Sequence, residues 1–185
     1  MSDETQVIIH KILAGDQSAF KQLYDQYAAL VYNTALSYTQ DTPDAEEVTQ
    51  DVFLKIHKNL KSFKGQSTFS TWVYRIAINT SLNKIRSRKT NRTVSMDLAT
   101  EQISFIHPGV LLENKEDSIA LFKAIKELPE TQQTAFIMSY IEHLPRKEVA
   151  EIMTTSLKAV ESLLQRAKRN LRNQLEIHYP NRRNK

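Results

Sequence analysis

The stretch STFSTWVYRIAINTSLNKIRSRK, residues 67–89, decides the fold. It begins with hydroxyl and aromatic side chains, holds the single tryptophan of the chain, Trp72, and ends in cations. From Val73 to Arg92 there are six cations and no acid. The apolar residues recur at helical spacing, which predicts a helix that begins in a protein core and ends near anions.

The two faces of this predicted helix differ in chemistry. The core-facing side chains, with Trp72 as the anchor, are Phe69, Trp72, Val73 and Ile76. A second stripe, spaced i, i+4, i+8 and i+11, consists of Arg75, Asn79, Asn83 and Arg86. Amide and guanidinium groups in such a row suit hydrogen bonds to bases and phosphates. A solvated basic face is the alternative, but soluble helices usually interleave acids with cations, and no acid does so here.

The composition excludes several classes of protein. With only 3 glycines the chain has no glycine-rich phosphate cradle, and without cysteine it has no disulfide, thiolate zinc site or cysteine nucleophile. Apolar residues follow helical spacing rather than strand alternation, so an all-α fold is predicted. The N-terminus does not resemble a signal peptide, and no apolar run reaches membrane-spanning length. We therefore expect a cytoplasmic protein.

Residues 1–90 are predicted to form the first small helical domain. A helix over about Glu4–Ala14 should end at Gly15, a favourable residue just past a helix. Another helix should begin with Thr42 as its N-cap and Pro43 at its first helical position. The apolar stripe of that helix is Ala45, Val48, Val52, Ile56 and Leu60.

The second half of the chain begins after a break in the helical pattern. Residues 91–115 show no sustained period, which predicts a flexible interdomain linker. A second helical domain is predicted over residues 116–178, followed by a basic tail, residues 179–185. Within this domain Pro145 should start one helix, and the turn at 154–156 should end it. Two short helices around a three-residue turn predict a helix-turn-helix.

The second helix of that motif has one apolar and one polar side. Ser156 can cap it, and its predicted core stripe is Val160, Leu164, Ala167 and Leu171. Its outward face carries Lys158, Glu161, Ser162, Gln165 and Arg169. In DNA-binding motifs the start of this face meets base edges, and later cations meet phosphates. An ordinary helical hairpin with a solvated face is the alternative, and the run of cations from Arg166 to Arg172 favours DNA binding.

Acidic and basic residues are unevenly distributed. Residues 41–54 hold five acids and no cation, whereas residues 166–185 hold seven cations and one acid. This distribution predicts a nucleic-acid face and a separate acidic face. The helix dipole explains Asp44 but not Asp51, so a docking face for a basic protein is preferred over a metal site. No histidine pair has metal-ligand spacing, and no catalytic constellation is visible, so neither an enzyme nor a cofactor is expected.

At these residues the chain resembles the extracytoplasmic-function (ECF) sigma factors, small two-domain specificity subunits of bacterial RNA polymerase. DAEEVTQDVFLKIHKNLKSFKG followed by STFSTWVYRIAINTSLNKIR is similar to the family's second region, in order and spacing. LPETQQTAFIMSYIEHLPRKEVAEIMTTSLKAVESLLQRAKRNL is similar to its fourth region. The resemblance covers nearly the whole chain and implies promoter-specific initiation of transcription by a protein that is not an enzyme.

The resemblance also implies roles for individual residues. Core polymerase, through the clamp helices of its largest subunit, would contact Asp44, Glu47, Gln50 and Asp51. The minus-ten promoter element, with one flipped base near the turn 63–67, would contact Lys64, Gln66, Ser67, Arg75, Asn79, Asn83, Arg86 and Arg88. The minus-thirty-five element would contact Ser156, Lys158, Glu161, Ser162, Gln165, Arg166 and Arg169. The implied partners are core polymerase, promoter DNA and an anti-sigma factor, and the protein is expected to be a monomer.

Some residues depart from the family pattern. The turn of the helix-turn-helix has Thr154 where glycine is usual, and a β-branched residue fits a positive φ poorly. Glu161 and Leu163 stand where cations are usual, which weakens attraction to phosphates. A stand-alone helix-turn-helix regulator is the alternative function, although such proteins usually bind palindromes as dimers. A nuclease that uses the acids of residues 44–51 is the third hypothesis.

Overall fold

The computed structural model describes residues 3–94 and 115–178, and every regular element in these ranges is helical. The chain divides into two compact units. The first consists of α1 (Asp3–Leu13), α2 (Gln17–Thr39), α3 (Thr42–Asn59), a 3-10 turn (Leu60–Ser62) and α4 (Phe69–Val94). The second consists of α5 (Lys115–Lys126), α6 (Glu130–Phe136), a π-helical turn (Ile137–Ile141), α7 (Arg146–Ile152) and α8 (Leu157–His178). The predicted all-α class is confirmed.

The helix predicted from the opening stretch is α4. Thr68 caps it, because its Oγ1 accepts a hydrogen bond from the Thr71 N–H at 3.1 Å. The helix continues to Val94, so residues 91–94 of the predicted linker are helical. The rest of that linker and the predicted basic tail lie outside the described residues. No described helix is long and apolar enough to cross a membrane.

One face of α4 forms much of the core of the first unit. The helix packs against both α2 and α3. Phe69, Val73 and Ala77 are each at most 1% exposed. Fully burying one large apolar side chain stabilises a fold by about 1.5–3 kcal/mol, so this face firmly holds α4. The predicted stripe of α3 is confirmed as well, because each of its five members is at most 2% exposed.

An aromatic cluster holds the turn before α4 in place. The Phe69 ring lies at its centre, with ring centroids 5.1 Å from Tyr27, 5.2 Å from Phe63 and 5.4 Å from Trp72. Two of these contacts are edge-to-face, an arrangement that the charge distribution of aromatic rings favours. Trp72, the predicted core anchor, is only half-buried, and the buried anchor is Phe69.

The start of α3 differs from the prediction by one residue. Asp41, rather than Thr42, is the N-cap: its backbone is extended, and its carboxylate accepts from the Asp44 N–H at 2.9 Å. A carboxylate caps better than a threonine hydroxyl because its charge also complements the helix dipole. Pro43 is therefore the second helical residue rather than the predicted first, and it still lies within the first turn.

In the second unit α8 packs against α5, α6 and α7. The predicted stripe of α8 is confirmed, since Val160, Leu164, Ala167 and Leu171 are all buried. Helical spacing from about Thr131 to Glu142 predicts a single helix there, but the structure has the short α6 followed by the π-helical turn. The turn buries Ile137, Met138 and Ile141.

The helix-turn-helix turns sharply at Thr154. The Thr155 N–H donates to the Ala150 carbonyl at 2.9 Å, and the Thr154 N–H donates to the Glu151 carbonyl at 3.1 Å. This pair of bonds closes the end of α7 as a Schellman motif. The motif requires a left-handed residue, and Thr154 has φ +52°. The position therefore does impose the backbone that disfavours a β-branched side chain.

The end of α1 has the same motif with the residue type that suits it. Gly15 has φ +97°, and a Cβ placed there would meet no atom within 4 Å. The two turns therefore differ chiefly in backbone strain, because a threonine is unfavourable in the left-handed region and a glycine is not.

This comparison generates a matched pair of substitutions. Thr154→Gly should raise the free energy of unfolding by about 1 kcal/mol, the cost of a left-handed non-glycine residue less glycine's greater chain entropy. Gly15→Thr should lower it by a similar or larger amount. Denaturation followed by circular dichroism measures the first, and Trp72 fluorescence, the single tryptophan signal, measures the second.

Thr155→Gly is the control, because Thr155 lies outside the left-handed region and should lose stability on gaining chain entropy. A Thr154→Gly protein less stable than the parent would show that the backbone at this turn is not strained.

Candidate nucleic-acid interface

The polar stripe of α4 remains on the surface after folding. Asn79, Asn83 and Arg86 are exposed, and Arg75 is half-buried. The helix rises 1.5 Å per residue, so the eleven steps from Arg75 to Arg86 extend about 16 Å. That length corresponds to roughly five base steps of 3.4 Å, so one strand could contact the stripe along its length.

The stripe includes an internal contact that orders its end. The Arg86 guanidinium donates to the Asn83 side-chain oxygen at 3.4 Å. The Asn83 amide thereby keeps both of its donors for other partners. In the turn that precedes α4, Lys64 and Gln66 are exposed and Ser67 is half-buried.

The acidic start of α3 lies against the basic end of α4. Lys84 Nζ is 2.5 Å from Glu47 Oε2 and 3.5 Å from Asp44 Oδ1. Arg88 Nη1 is 2.5 Å from Asp44 Oδ2 and 3.9 Å from Asp41 Oδ2. The hydrogen bond to Glu47, joined by the charge of Asp44, holds the pKa of Lys84 above its ordinary value.

These ion pairs correct the prediction of a separate acidic face. The absence of acids between Val73 and Arg92 does not leave the cations of α4 alone, because α3 supplies the acids across the helix interface. Lys84, which was missing from the predicted site, is the centre of the network. Arg88, which was included, shares Asp44 with it. The basic end of α4 is therefore partly neutralised within the fold.

The other predicted docking residues of α3 are open to solvent. Gln50 and Asp51 are exposed, about one turn beyond Glu47. Leu54 follows on the same side of the helix with 57% of its surface exposed. The prediction missed Leu54, although its offset from the apolar stripe of α3 was visible in the sequence. An exposed leucine beside a carboxylate suits a protein partner better than a nucleic acid.

The second unit presents its predicted face on α8. Exposed there are Ser156, Lys158, Glu161, Gln165, Arg166 and Arg169, whereas Ser162 is half-buried. The Ser156 hydroxyl accepts from the Ala159 N–H at 3.1 Å and so caps the helix, as predicted. Leu163 is half-buried, so this departure from the family pattern does not place a fully exposed leucine on the helix.

Arg146 at the start of α7 connects three parts of the helix-turn-helix. Its Nη1 is 3.7 Å from Glu161 Oε1 on α8. Arg146 also interacts with Tyr140 in the π-helical turn, and Lys168 Nζ lies 4.6 Å from the centroid of the Tyr140 ring. The hydrogen bond from Lys168, assisted by Arg146, lowers the pKa of Tyr140. No pattern in the sequence indicated this arrangement, because the residues lie on three elements.

The described residues hold no group of three or more histidine, aspartate or glutamate side chains that could bind a metal ion. Asp44 and Glu47, the acids considered for a nuclease, are paired with cations instead. The two surfaces rich in amides and cations, one on α4 and one on α8, are suited to binding nucleic acid.

Comparisons with known proteins agree with this geometry. Two family models match: Sigma-70 region 2 over residues 23–91 and Sigma-70, region 4 over residues 118–171. The ECF RNA polymerase sigma factor SigW of Bacillus subtilis (strain 168) is 30% identical over 176 residues, covering 90% of this chain and 94% of SigW. The matched regions contain α4 and the helix-turn-helix, respectively.

Two solved structures share the fold. CnrH, solved in complex with the cytosolic domain of CnrY, has a TM-score of 0.68 and 21% identity over 92% of this chain and 96% of its own. RpoE, solved in complex with the anti-sigma factor NepR from Bartonella quintana, has a TM-score of 0.63 and 22% identity over 85% and 97%. The chain thus belongs to the ECF sigma factors, which bind core RNA polymerase and direct promoter-specific initiation of transcription.

Proposed function

We propose that the two units divide promoter recognition between them. The stripe of α4 and the turn 63–67 bind and help open the minus-ten element, and the outward face of α8 reads the minus-thirty-five element as duplex. The exposed Gln50 and Asp51 of α3 bind the clamp helices of the largest polymerase subunit. The observation that carries this proposal is the stripe of α4, whose amides and cations remain outside while the opposite face is buried.

The chemistry of the α4 stripe supports contact with separated strands. An amide offers both a donor and an acceptor, so Asn79 and Asn83 can pair with the edge of an unstacked base. Extruding a base costs a few kcal/mol, which these hydrogen bonds offset. The cations toward the end of the helix provide contacts to phosphates that do not depend on sequence.

The surface of α3 supports a protein partner. Gln50 and Asp51 lie on α3 between its ion-paired start and Leu54, which is 57% exposed. An apolar side chain beside a carboxylate resembles the mixed composition of protein interfaces. Asp44 and Glu47 remain proposed core contacts, but docking there would compete with Lys84 and Arg88.

The remaining partners follow from the family. An anti-sigma factor is a proposed regulator, because the fold is shared with RpoE, which was solved bound to one. The protein acts in the cytoplasm as a non-enzymatic monomer within the polymerase. A stand-alone regulator is less well supported, because two dissimilar DNA-binding surfaces suit an asymmetric two-part promoter.

Run-off transcription tests the proposal as a whole. Genomic or randomised promoter templates should yield defined transcripts with core polymerase plus the protein, and none with either alone. Transcripts that are independent of the protein would reject the function.

Reversing the charge of Asp51 should weaken core binding. Asp51→Arg places a cation against a basic partner surface, and losing one side of a buried charge pair costs about 2–5 kcal/mol. The fold should persist, because the side chain is exposed. Titration of labelled protein with core polymerase measures the change.

Asp25→Arg is the matched control, because it makes the same charge reversal at an exposed residue of α2, which pairs with Lys21 on the same helix. Equal core affinity in both variants would remove Asp51 from the interface.

Asn79→Ala and Arg86→Ala should affect minus-ten recognition differently. Loss of a base contact should flatten the preference at one minus-ten position by roughly 1–3 kcal/mol. Loss of a phosphate contact should instead weaken binding to all sequences alike and reduce the salt slope by about 1. Holoenzyme binding to a panel of single-base minus-ten variants separates these outcomes.

Core affinity should be unchanged in both proteins, because neither residue is on α3. If Asn79→Ala weakened every promoter variant equally, Asn79 would be a backbone contact rather than a base reader.

Neutralising the acids of α3 should strengthen DNA binding by the free protein. In the double variant Asp44→Asn, Glu47→Gln, the cations Lys84 and Arg88 lose these carboxylate partners. They can then bind phosphate without first breaking an ion pair to Asp44 or Glu47. Affinity for single-stranded DNA should rise, and the salt slope should steepen by up to about 2, because two more phosphates are neutralised.

Fluorescence anisotropy without core polymerase measures both quantities, and Asp25→Asn is the control. Unchanged affinity and slope would show that the ion pairs do not compete with DNA.

A further inference from the structure

We propose that Glu161 of α8 reads a cytosine of the minus-thirty-five element, and that Arg146 of α7 holds its carboxylate for this purpose. The inference rests on the proposed role of α8 in reading the minus-thirty-five element, and it names the base that Glu161 selects. It turns the departure at Glu161 from a loss of phosphate attraction into a source of specificity.

The place of Glu161 on α8 suits a base reader. It is the fifth residue of the helix that begins at Leu157, and it is exposed. Lys158 and Gln165 lie one turn before and one turn after it on the same face. The first turns of a recognition helix lie deepest in the major groove, where side chains reach base edges. Arg166 and Arg169 follow later, where phosphates are the nearer partners.

The chemistry of a carboxylate selects among the four bases. A carboxylate only accepts hydrogen bonds, so it needs a donor on the base edge. Guanine presents the acceptors N7 and O6, thymine presents O4, and adenine places N7 beside its amino group. Cytosine alone offers an amino group, N4, with no acceptor on its own major-groove edge. A glutamate in this place therefore favours cytosine and disfavours guanine most.

Arg146 provides the positive charge that an acidic side chain near DNA phosphates requires. Its guanidinium lies 3.7 Å from Glu161 Oε1, and the side chains are 54% and 47% exposed, so both can reach a ligand. The cation reduces repulsion between the carboxylate and the phosphates on either side of the groove. The second oxygen, Oε2, can then accept from the base.

Arg146 has a second neighbour besides Glu161. This neighbour is Tyr140, whose ring stacks on Phe136 at 4.9 Å between centroids and lies under Lys168. A guanidinium with two such neighbours loses less freedom on binding DNA than an arginine without them would. Arg146 is therefore a positioning residue, which acts on the base through Glu161.

Selection from random duplexes tests the inference. Holoenzyme, assembled from core polymerase and the full chain, is offered promoters with a randomised minus-thirty-five element, and the bound molecules are sequenced. The parent protein should enrich cytosine at one position by roughly tenfold over the other bases. Glu161→Gln should lose that preference and favour adenine there, because glutamine pairs with adenine N6 and N7. Preferences at the other positions should stay the same.

Arg146 has its own readout in the same experiment. Arg146→Ala should reduce enrichment of cytosine at that position several-fold without changing which base is preferred. Arg146→Lys keeps the charge and should restore part of it. Glu148→Gln, which removes an acid from the first turn of the same helix, is the matched control and should leave all preferences unchanged.

The possible failures are distinguishable. If the parent holoenzyme enriches no sequence in the randomised element, the proposed role of α8 is wrong, and the inference falls with it. If it enriches a sequence whose base preferences are the same in Glu161→Gln, only the inference is overturned.

Discussion

Burial of one face of α4 is the constraint on which the first unit depends. Phe69, Val73 and Ala77 fix the helix against α2 and α3, and this fixes which side chains must face outward. The polar stripe from Arg75 to Arg86 is exposed because the opposite face is buried. The aromatic cluster around Phe69 also secures the turn 63–67, so the same buried contacts position both parts of the proposed minus-ten surface. A rigid support of this kind reduces the ordering cost of binding DNA.

The positive charge of α4 is balanced by acids on α3 rather than by acids on α4 itself. The cations of α4 would repel one another, and the acids at the start of α3 stabilise them across the interface. Those acids also complement the dipole of α3, so a single cluster serves two purposes. The arrangement connects the helix that we assign to DNA with the helix that we assign to polymerase. The two helices share these ion pairs, in which the Asp44 side chain is only 18% exposed.

The helix-turn-helix shows that departures from a family pattern have physical consequences. Thr154 is held at φ +52° by two backbone hydrogen bonds, so the fold tolerates a strained residue where glycine is usual. Glu161 replaces a cation, yet Arg146 compensates for its charge from α7. We expect the first departure to affect stability and the second to affect recognition, because the Thr154 N–H bonds to the backbone of its own turn whereas Glu161 faces outward.

The sequence by itself determined the all-α class, the stripes of α3 and α8, the cap at Ser156 and the two family regions, because helical periodicity and capping act between residues a few positions apart. It placed the N-cap of α3 at Thr42 instead of Asp41, since the two are adjacent and both can cap. Only the tertiary structure decided that Lys84 and Arg88 meet Asp44, and that Arg146 meets Glu161. Such pairs depend on how helices cross, which is set by long-range packing and has no local periodic signal.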